Sequence, residues 1–108
     1  MSPIRVRAHI RGAVQGVGFR PYVYLLASEF GLSGFVINTP QGVVVESEGE
    51  AAQVEAFLKD LPERRPPLSI IDRIETEYVP PQGGDGFEIR QSEASGDPAA
   101  IIMADIAT

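Results

Sequence analysis

The chain contains no cysteine and no tryptophan, and it has a single histidine. Without cysteine, these residues can form neither a disulfide nor a cysteine-ligated metal site. No apolar run approaches the ~18 residues of a transmembrane helix, and no signal-peptide pattern opens the sequence. These absences are typical of a cytoplasmic protein that does not enter a membrane, and we take that localisation as the expectation.

Positive charge is scarce, with 9 Lys and Arg against 15 Asp and Glu and a formal net charge of −6. An acidic surface disfavours nucleic acid as a partner, because neutralisation of backbone phosphates supplies most of that affinity. A small anionic substrate would therefore need a local positive site within an acidic surface. The length of 108 residues is typical of one domain.

The hydrophobic periodicity predicts the order β-α-β-β-α-β with a short extra strand. Ile4, Val6, Ala8 and Ile10 alternate with polar residues, as in a strand that is buried on one face. Strands are predicted at residues 4–11, 34–38, 43–48, 70–79 and 87–90, and helices from Arg20-Pro21 to a stop at Gly31 and over about 51–61. The order predicts a ferredoxin-like α+β fold, with an antiparallel sheet, both helices on one face and residues 87–90 at an edge.

The prolines at 62, 66 and 67 are expected to end the second helix and to form a stiff connector. Residues 92–108 show no clear period and contain Gly96, Pro98 and several alanines. We therefore assign residues 1–91 to one domain and interpret 92–108 as a tail or linker.

The segment Gln15-Gly16-Val17-Gly18-Phe19-Arg20 lies between a predicted strand and a predicted helix. Glycines let backbone N–H groups converge, a helix N-terminus favours negative charge, and arginine offers a fork suited to phosphate oxygens. The segment is neither a P-loop, because Gly-Lys-Ser/Thr does not follow, nor a dinucleotide fingerprint, because Pro21 replaces the third glycine. Local physics leaves two interpretations open, an anion site and a glycine-rich structural turn.

Other polar residues give weaker signals. His9 falls on the strand face opposite Val6, so a solvent-facing or lightly packed side chain is expected rather than a catalytic base. Glu46, Glu48 and Glu50 are interpreted as solvated surface, and no metal site is predicted. Tyr22 and Tyr24 are expected to pack at the first helix.

Two motifs carry a family resemblance. Gly12-x-Val14-Gln15-Gly16-Val17-x-Phe19-Arg20 resembles the first signature of acylphosphatases, and Gly34-Phe35-Val36-Ile37-Asn38-x-x-x-Gly42-x-Val44 resembles the second. The resemblance implies an acylphosphatase-like fold, with the phosphoryl group bound by Arg20 and by the N–H groups of Gln15, Gly16, Val17, Gly18, Phe19 and Arg20. It also implies that Asn38 orients the attacking water, although spacing alone favours a hairpin turn residue there. The resemblance implies no metal and no cofactor in this domain.

Further segments resemble the N-terminal domain of the carbamoyltransferases that mature nickel–iron hydrogenases. They are Arg20-Pro21-Tyr22-Val23-Tyr24, Pro66-Pro67-Leu68, Gly86-Phe87-Glu88-Ile89-Arg90 and the closing Asp105-Ile106-Ala107-Thr108. This resemblance implies carbamoyl phosphate as the acyl phosphate and a maturation partner protein as acceptor of the carbamoyl group. It also implies that residues 92–108 lead toward downstream domains, a zinc-binding domain first, that this chain lacks.

Three alternatives differ from that expectation in class. The chain could be a stand-alone acylphosphatase, or a module that binds carbamoyl phosphate without hydrolysing it. A ferredoxin-like nucleic-acid binder is disfavoured by the net charge of −6 and by the lack of stacking aromatics.

Overall fold

The computed structural model describes residues 3–90, and the predicted tail at 92–108 lies outside the described residues. The predicted order of elements is confirmed. In chain order, the elements are β1 (Ile4–Ala13), α1 (Phe19–Glu29), β2 (Ser33–Thr39), β3 (Gly42–Gly49), α2 (Ala51–Glu63), β4 (Ile70–Val79) and β5 (Phe87–Ile89). Across these described residues, no helix has both the length and the apolar character needed to span a bilayer.

The strands form one sheet in the order β4-β1-β3-β2-β5. β1 pairs antiparallel with β3 and β4, and β2 pairs antiparallel with β3, but β5 runs parallel to β2. The edge position of the last strand is confirmed, and the predicted antiparallel pairing is confirmed among β1 to β4 but is wrong for β5. β4 ends beside Arg5 at the same end of the sheet where β5 begins beside Gly34, so the intervening loop delivers β5 in the direction of β2.

One continuous core lies between the sheet and both helices, which confirms that the helices share a face. Alternate residues of β1 and β3 face it, as the period of a strand requires. Its fully buried members include Ala8, Ile10, Val43 and Val45 from the sheet, Phe19, Val23 and Leu26 from α1, and Val54, Phe57 and Leu61 from α2.

The two helices end by different means. Gly31, at φ 68°, ends α1 as predicted, and the N–H groups of Gly31 and Leu32 bond to the carbonyls of Ser28 and Ala27 at 3.1 and 3.0 Å. Pro62 does not end α2, which continues to Glu63. Proline removes one helical N–H donor, and in the last turn of a helix that loss is small.

The interpretation of Glu46 and Glu48 as solvated surface is wrong. They are only 4% and 5% exposed, on the sheet face opposite the helices, and Arg5 beside them is 4% exposed. The strand register brings the charges together, because Arg5 pairs across the ladder with Glu48 and Arg7 with Glu46. His9 on the same face is half-buried, with Nε2 at 3.3 Å from Glu77 Oε2, in accord with its prediction.

This buried cluster also fastens the loop between β4 and β5. Arg5 donates to Glu46 Oε1 at 2.6 Å and to Glu48 Oε1 at 2.9 Å. Glu48 further accepts the backbone N–H groups of Gln82 and Gly83 at 2.7 and 2.9 Å. Glu48, held by its ion pair with Arg5, therefore anchors the segment that carries the chain across the sheet to β5.

Candidate active site

The loop between β1 and α1 has the backbone of an anion site. Gly16 and Gly18 have φ values of 77° and 78°, a region that glycine enters without steric cost. Gly18 is the N-cap of α1, and it supplies no side-chain oxygen to the helix N-terminus. The first helical hydrogen bond runs from the N–H of Tyr22 to the carbonyl of Gly18 at 3.1 Å. The N–H groups of Phe19 and Arg20 precede that ladder, so they are available to a ligand.

A cleft of about 180 Å³ lies at this helix N-terminus. Its lining residues are Val14, Gln15, Gly16, Gly18, Phe19, Arg20, Pro21 and Asn38. Asn38 and Arg20, which the sequence analysis assigned to one site, therefore lie in the same cleft. Val17 does not line it, because its side chain packs partly buried against the core. Sequence reasoning missed Val14 and Pro21, although Val14 lies within the first motif and Pro21 follows it directly.

Asn38 reaches the cleft because of its position on β2. It pairs with Val43 and lies on the same strand face as the fully buried Val36, the face that packs against the helices. The side chain is half-buried at the end of the strand. An amide there can donate to one ligand oxygen and accept from a water, which suits the predicted role in orienting water.

The side chain of Arg20 is held from a distant part of the chain. Its Nη1 donates to the carbonyl oxygen of Arg90 at 2.7 Å. Arg90 is itself fixed by the bond from its N–H to the carbonyl of Val36 at 2.9 Å and by its guanidinium, 4.0 Å from the centre of the Phe35 ring. No local sequence signal could have revealed this contact, because the two arginines are 70 residues apart.

The glycines of the two motifs also serve the sheet beside the cleft. Gly42, at φ 156°, opens β3 directly after the turn, and a Cβ there would collide with the carbonyl oxygen of Ile10. At Gly12, whose φ is 144°, an added Cβ would likewise collide with the carbonyl oxygen of Ile70. At these two glycines β1 lies close to β3 and to β4, and this close packing places the glycine-rich loop next to the β2–β3 turn.

The cleft is electrostatically simple. Arg20 is the only charged residue in its lining, which contains no carboxylate. Within residues 3–90, no group of three or more His, Cys, Asp or Glu side chains is placed to hold a metal ion. The arrangement can bind an anion and place a water beside it, and it offers no strong acid or base. Such a site suits the hydrolysis of substrates that already carry a good leaving group.

Comparison with known sequences agrees with this geometry. The family profile "Acylphosphatase" matches residues 6–89. The acylphosphatase of Thermococcus kodakarensis is 41% identical over 88 residues, which cover 79% of this chain and 96% of that protein. "Carbamoyltransferase HypF" of Rhizobium leguminosarum bv. viciae is 47% identical over 108 residues, which cover 99% of this chain and 14% of that protein. The chain thus spans about one seventh of this HypF relative.

Solved structures agree with both likenesses. A full-length HypF in its phosphate- and nucleotide-bound form superposes with a TM-score of 0.81 at 36% identity, covering 85% of this chain and 12% of that one. The acylphosphatase of Bacillus subtilis superposes with a TM-score of 0.74 at 29% identity, covering 81% of this chain and 98% of that one. The predicted resemblance to a carbamoyltransferase is thereby confirmed as a likeness to part of HypF. By its fold and both motifs, the chain belongs to the acylphosphatase family.

Proposed function

We propose that this chain binds carbamoyl phosphate in the Arg20–Asn38 cleft and hydrolyses it to carbamate and inorganic phosphate. The observation that carries the proposal is the meeting of Arg20, Asn38 and an uncapped helix N-terminus in one cleft of about 180 Å³. A phosphoryl dianion is complementary to this combination of backbone N–H groups and guanidinium.

The reaction needs little from the protein beyond positioning and charge stabilisation. The N–H groups of residues 15–20 and the Arg20 fork bind the phosphoryl oxygens, and Asn38 holds a water in line with the scissile P–O bond. The water oxygen bonds to phosphorus while the bond from phosphorus to the acyl oxygen breaks. The acyl group leaves as a carboxylate, a weak base, so its departure requires no side-chain acid, and the proton of the water is released with the phosphate. This chemistry uses no metal and no cofactor.

Carbamoyl phosphate is the proposed substrate because the chain resembles part of the carbamoyltransferase HypF at 47% identity. The cleft recognises the phosphoryl end, and a small carbamoyl group adds few contacts, so discrimination against other acyl phosphates should be modest. We place the chain in a cytoplasmic carbamoyltransferase that matures nickel–iron hydrogenase. There it would work with downstream domains of the same polypeptide and with a partner protein that accepts the carbamoyl group.

A stand-alone acylphosphatase is the second candidate. It is favoured by relatives such as the Thermococcus kodakarensis enzyme, 96% of whose length this chain matches. A module that binds carbamoyl phosphate without turnover is the third.

Steady-state hydrolysis of carbamoyl phosphate and benzoyl phosphate by this chain tests the proposed substrate and distinguishes turnover from binding alone. Turnover of both substrates, with similar kcat/KM, is the expected result. Binding of carbamoyl phosphate without hydrolysis would identify a binding module. If the chain hydrolysed benzoyl phosphate but neither bound nor hydrolysed carbamoyl phosphate, the proposed substrate would be wrong and the stand-alone acylphosphatase would be the remaining candidate.

A further inference from the structure

The side chain of Gln15 joins the two parts of the cleft. Its Nε2 donates to the carbonyl oxygens of Thr39 and Gly42, at 2.5 and 2.9 Å. These carbonyls flank Pro40 and Gln41, the tip of the β2–β3 turn. One backbone bond, from the N–H of Gly12 to the carbonyl of Gln41 at 3.3 Å, joins the same two regions.

The two acceptors also fix the orientation of the Gln15 amide. A backbone carbonyl can only accept, so the NH2 group must face both of them. Among residues 3–90, no other side-chain hydrogen bond ties the segment 14–18 to the turn. The segment itself contains Gly16 and Gly18, whose backbone freedom favours other conformations unless the surroundings hold it.

We propose that the Gln15 side chain is a positioning residue, which sets the separation between the phosphate-binding loop and Asn38. Thr39 follows Asn38 directly, so a hydrogen bond to the Thr39 carbonyl fixes the backbone at the end of β2. The loop N–H groups position the phosphoryl group, and Asn38 positions the water. By bonding to the turn, the Gln15 side chain holds these two groups at a fixed separation. The inference rests on the proposed hydrolysis, and it assigns to Gln15 a side-chain role distinct from its backbone N–H.

Gln15→Met tests the coupling, because methionine matches the length of glutamine and lacks the amide. Gln15 is exposed, so the change opens no cavity in the core. Gln41→Met is the matched control, since Gln41 is also exposed and lies at the tip of the same turn. We expect Gln15→Met to lower kcat by roughly 10- to 100-fold and to change KM by less than about 3-fold, with the control near wild type.

A double-mutant cycle with Asn38→Ala identifies the residue through which Gln15 acts. Once Asn38 is removed, Gln15→Met should lower kcat by less than about 2-fold. An undiminished loss in the Asn38→Ala background would overturn the positioning role.

A readout without catalysis keeps this inference separate from the proposed function. In ¹⁵N NMR spectra, Gln15→Met should shift the side-chain NH2 resonances of Asn38 and the backbone N–H of Thr39, whereas Gln41→Met should leave the Asn38 side chain unchanged. Equal spectra at Asn38 in the two variants would refute the coupling, whatever the activity. If wild-type protein hydrolyses no acyl phosphate, the proposed function fails, and the Asn38 resonances still decide the role of Gln15.

Discussion

Arg20 donates a 2.7 Å hydrogen bond from Nη1 to the carbonyl oxygen of Arg90, at the far end of the described chain. The bond uses one N–H of the guanidinium fork and sets the orientation of the others. A neutral carbonyl, unlike a carboxylate, leaves the full positive charge of Arg20 for an anion. The cleft therefore keeps a positive centre although the whole chain carries a net charge of −6.

The first prediction concerns anion binding at Arg20. Arg20→Ala should weaken the binding of inorganic phosphate about 10- to 100-fold, the equivalent of losing a hydrogen bond to a charged group. The fold should persist, because Arg20 is only half-buried. NMR titration with phosphate measures the affinity, and Arg73→Ala, at an arginine 63% exposed, is the control. Equal affinity in Arg20→Ala and wild type would remove Arg20 from the site.

The second prediction separates turnover from binding at Asn38. Asn38→Ala should lower kcat by about 100-fold and leave phosphate affinity within about 3-fold, because the orientation of water matters mainly in the transition state. Asn38→Asp should weaken phosphate binding as well, since a carboxylate in the cleft repels the anion. Parallel kinetics and phosphate titrations check both variants. A kcat near wild type in Asn38→Ala would show that Asn38 has no part in catalysis and serves only as a turn residue.

The third prediction concerns acid stability and the buried Glu48. Burial opposes ionisation of Glu48, but hydrogen bonds from the N–H groups of Gln82 and Gly83 and from Arg5 outweigh it and hold the pKa of Glu48 below its ordinary value. A depressed carboxyl pKa adds stability above the ordinary pKa, and that stability is lost as the pH falls through the folded value. Wild-type protein should therefore lose stability progressively below about pH 4.

Glu48→Gln isolates this contribution. At neutral pH it should lower the free energy of unfolding by about 3 kcal/mol, because it leaves Arg5 buried with one partner fewer. The difference from wild type should shrink as the pH falls through the depressed pKa of Glu48. Urea unfolding at several pH values measures it, and Glu75→Gln, at an exposed ion pair, should cost no more than about 0.5 kcal/mol. A difference that stays constant with pH would contradict this account.

The fourth prediction concerns Gly42. Gly42→Ala should destabilise the fold by more than about 1 kcal/mol, since its φ of 156° strains an L residue and the new Cβ collides with the carbonyl of Ile10. Gly84→Ala is the control, because a Cβ there meets nothing within 4 Å, and its effect should stay within about 0.5 kcal/mol. Thermal unfolding of the two variants gives the comparison. If Gly42→Ala and Gly84→Ala were equally stable, β1 and β3 would have to lie further apart at Gly42 than the structure shows.

The fifth prediction concerns cofactors. EDTA should leave acyl-phosphate hydrolysis unchanged and ATP should not stimulate it, because Arg20 and backbone N–H groups supply the charge stabilisation in the proposed mechanism. Rates with and without each compound, at saturating substrate, make the measurement. Loss of activity in EDTA that Mg²⁺ restores would require a different mechanism.

Most of the fold could be predicted because each element carries a local signal. The alternation in β1 and the glycine at position 31 act over a few residues, so the sequence reveals them directly. The direction of β5 has no such signal. It follows from where β4 ends in space, and the period of a strand is the same in parallel and antiparallel pairing.

The candidate site divides in the same way. Local chemistry left the glycine-rich segment and Arg20 open between an anion site and a structural turn, and the family motifs assigned them, with Asn38, to one site. The contacts of Gln15 with the turn and of Arg20 with Arg90 join residues 24 to 70 positions apart, so they depend on the assembled sheet. The burial of Glu46 and Glu48 was missed for a related reason, since charged residues on an uncovered face are ordinarily exposed and only the cross-strand register reveals their partners.

The bond between Arg20 and Arg90 also depends on residues that a ribosome adds last among those that the structure describes. A ribosome makes residues 3–79 before β5, so a nascent chain at that stage holds the glycine-rich loop and Asn38 without the carbonyl that fastens Arg20. The outer edge of β2, which β5 covers, is then an unpaired strand edge. A chain that ends before Phe87 should thus bind phosphate more weakly than one that includes Arg90, and its uncovered β2 edge should favour association with other chains.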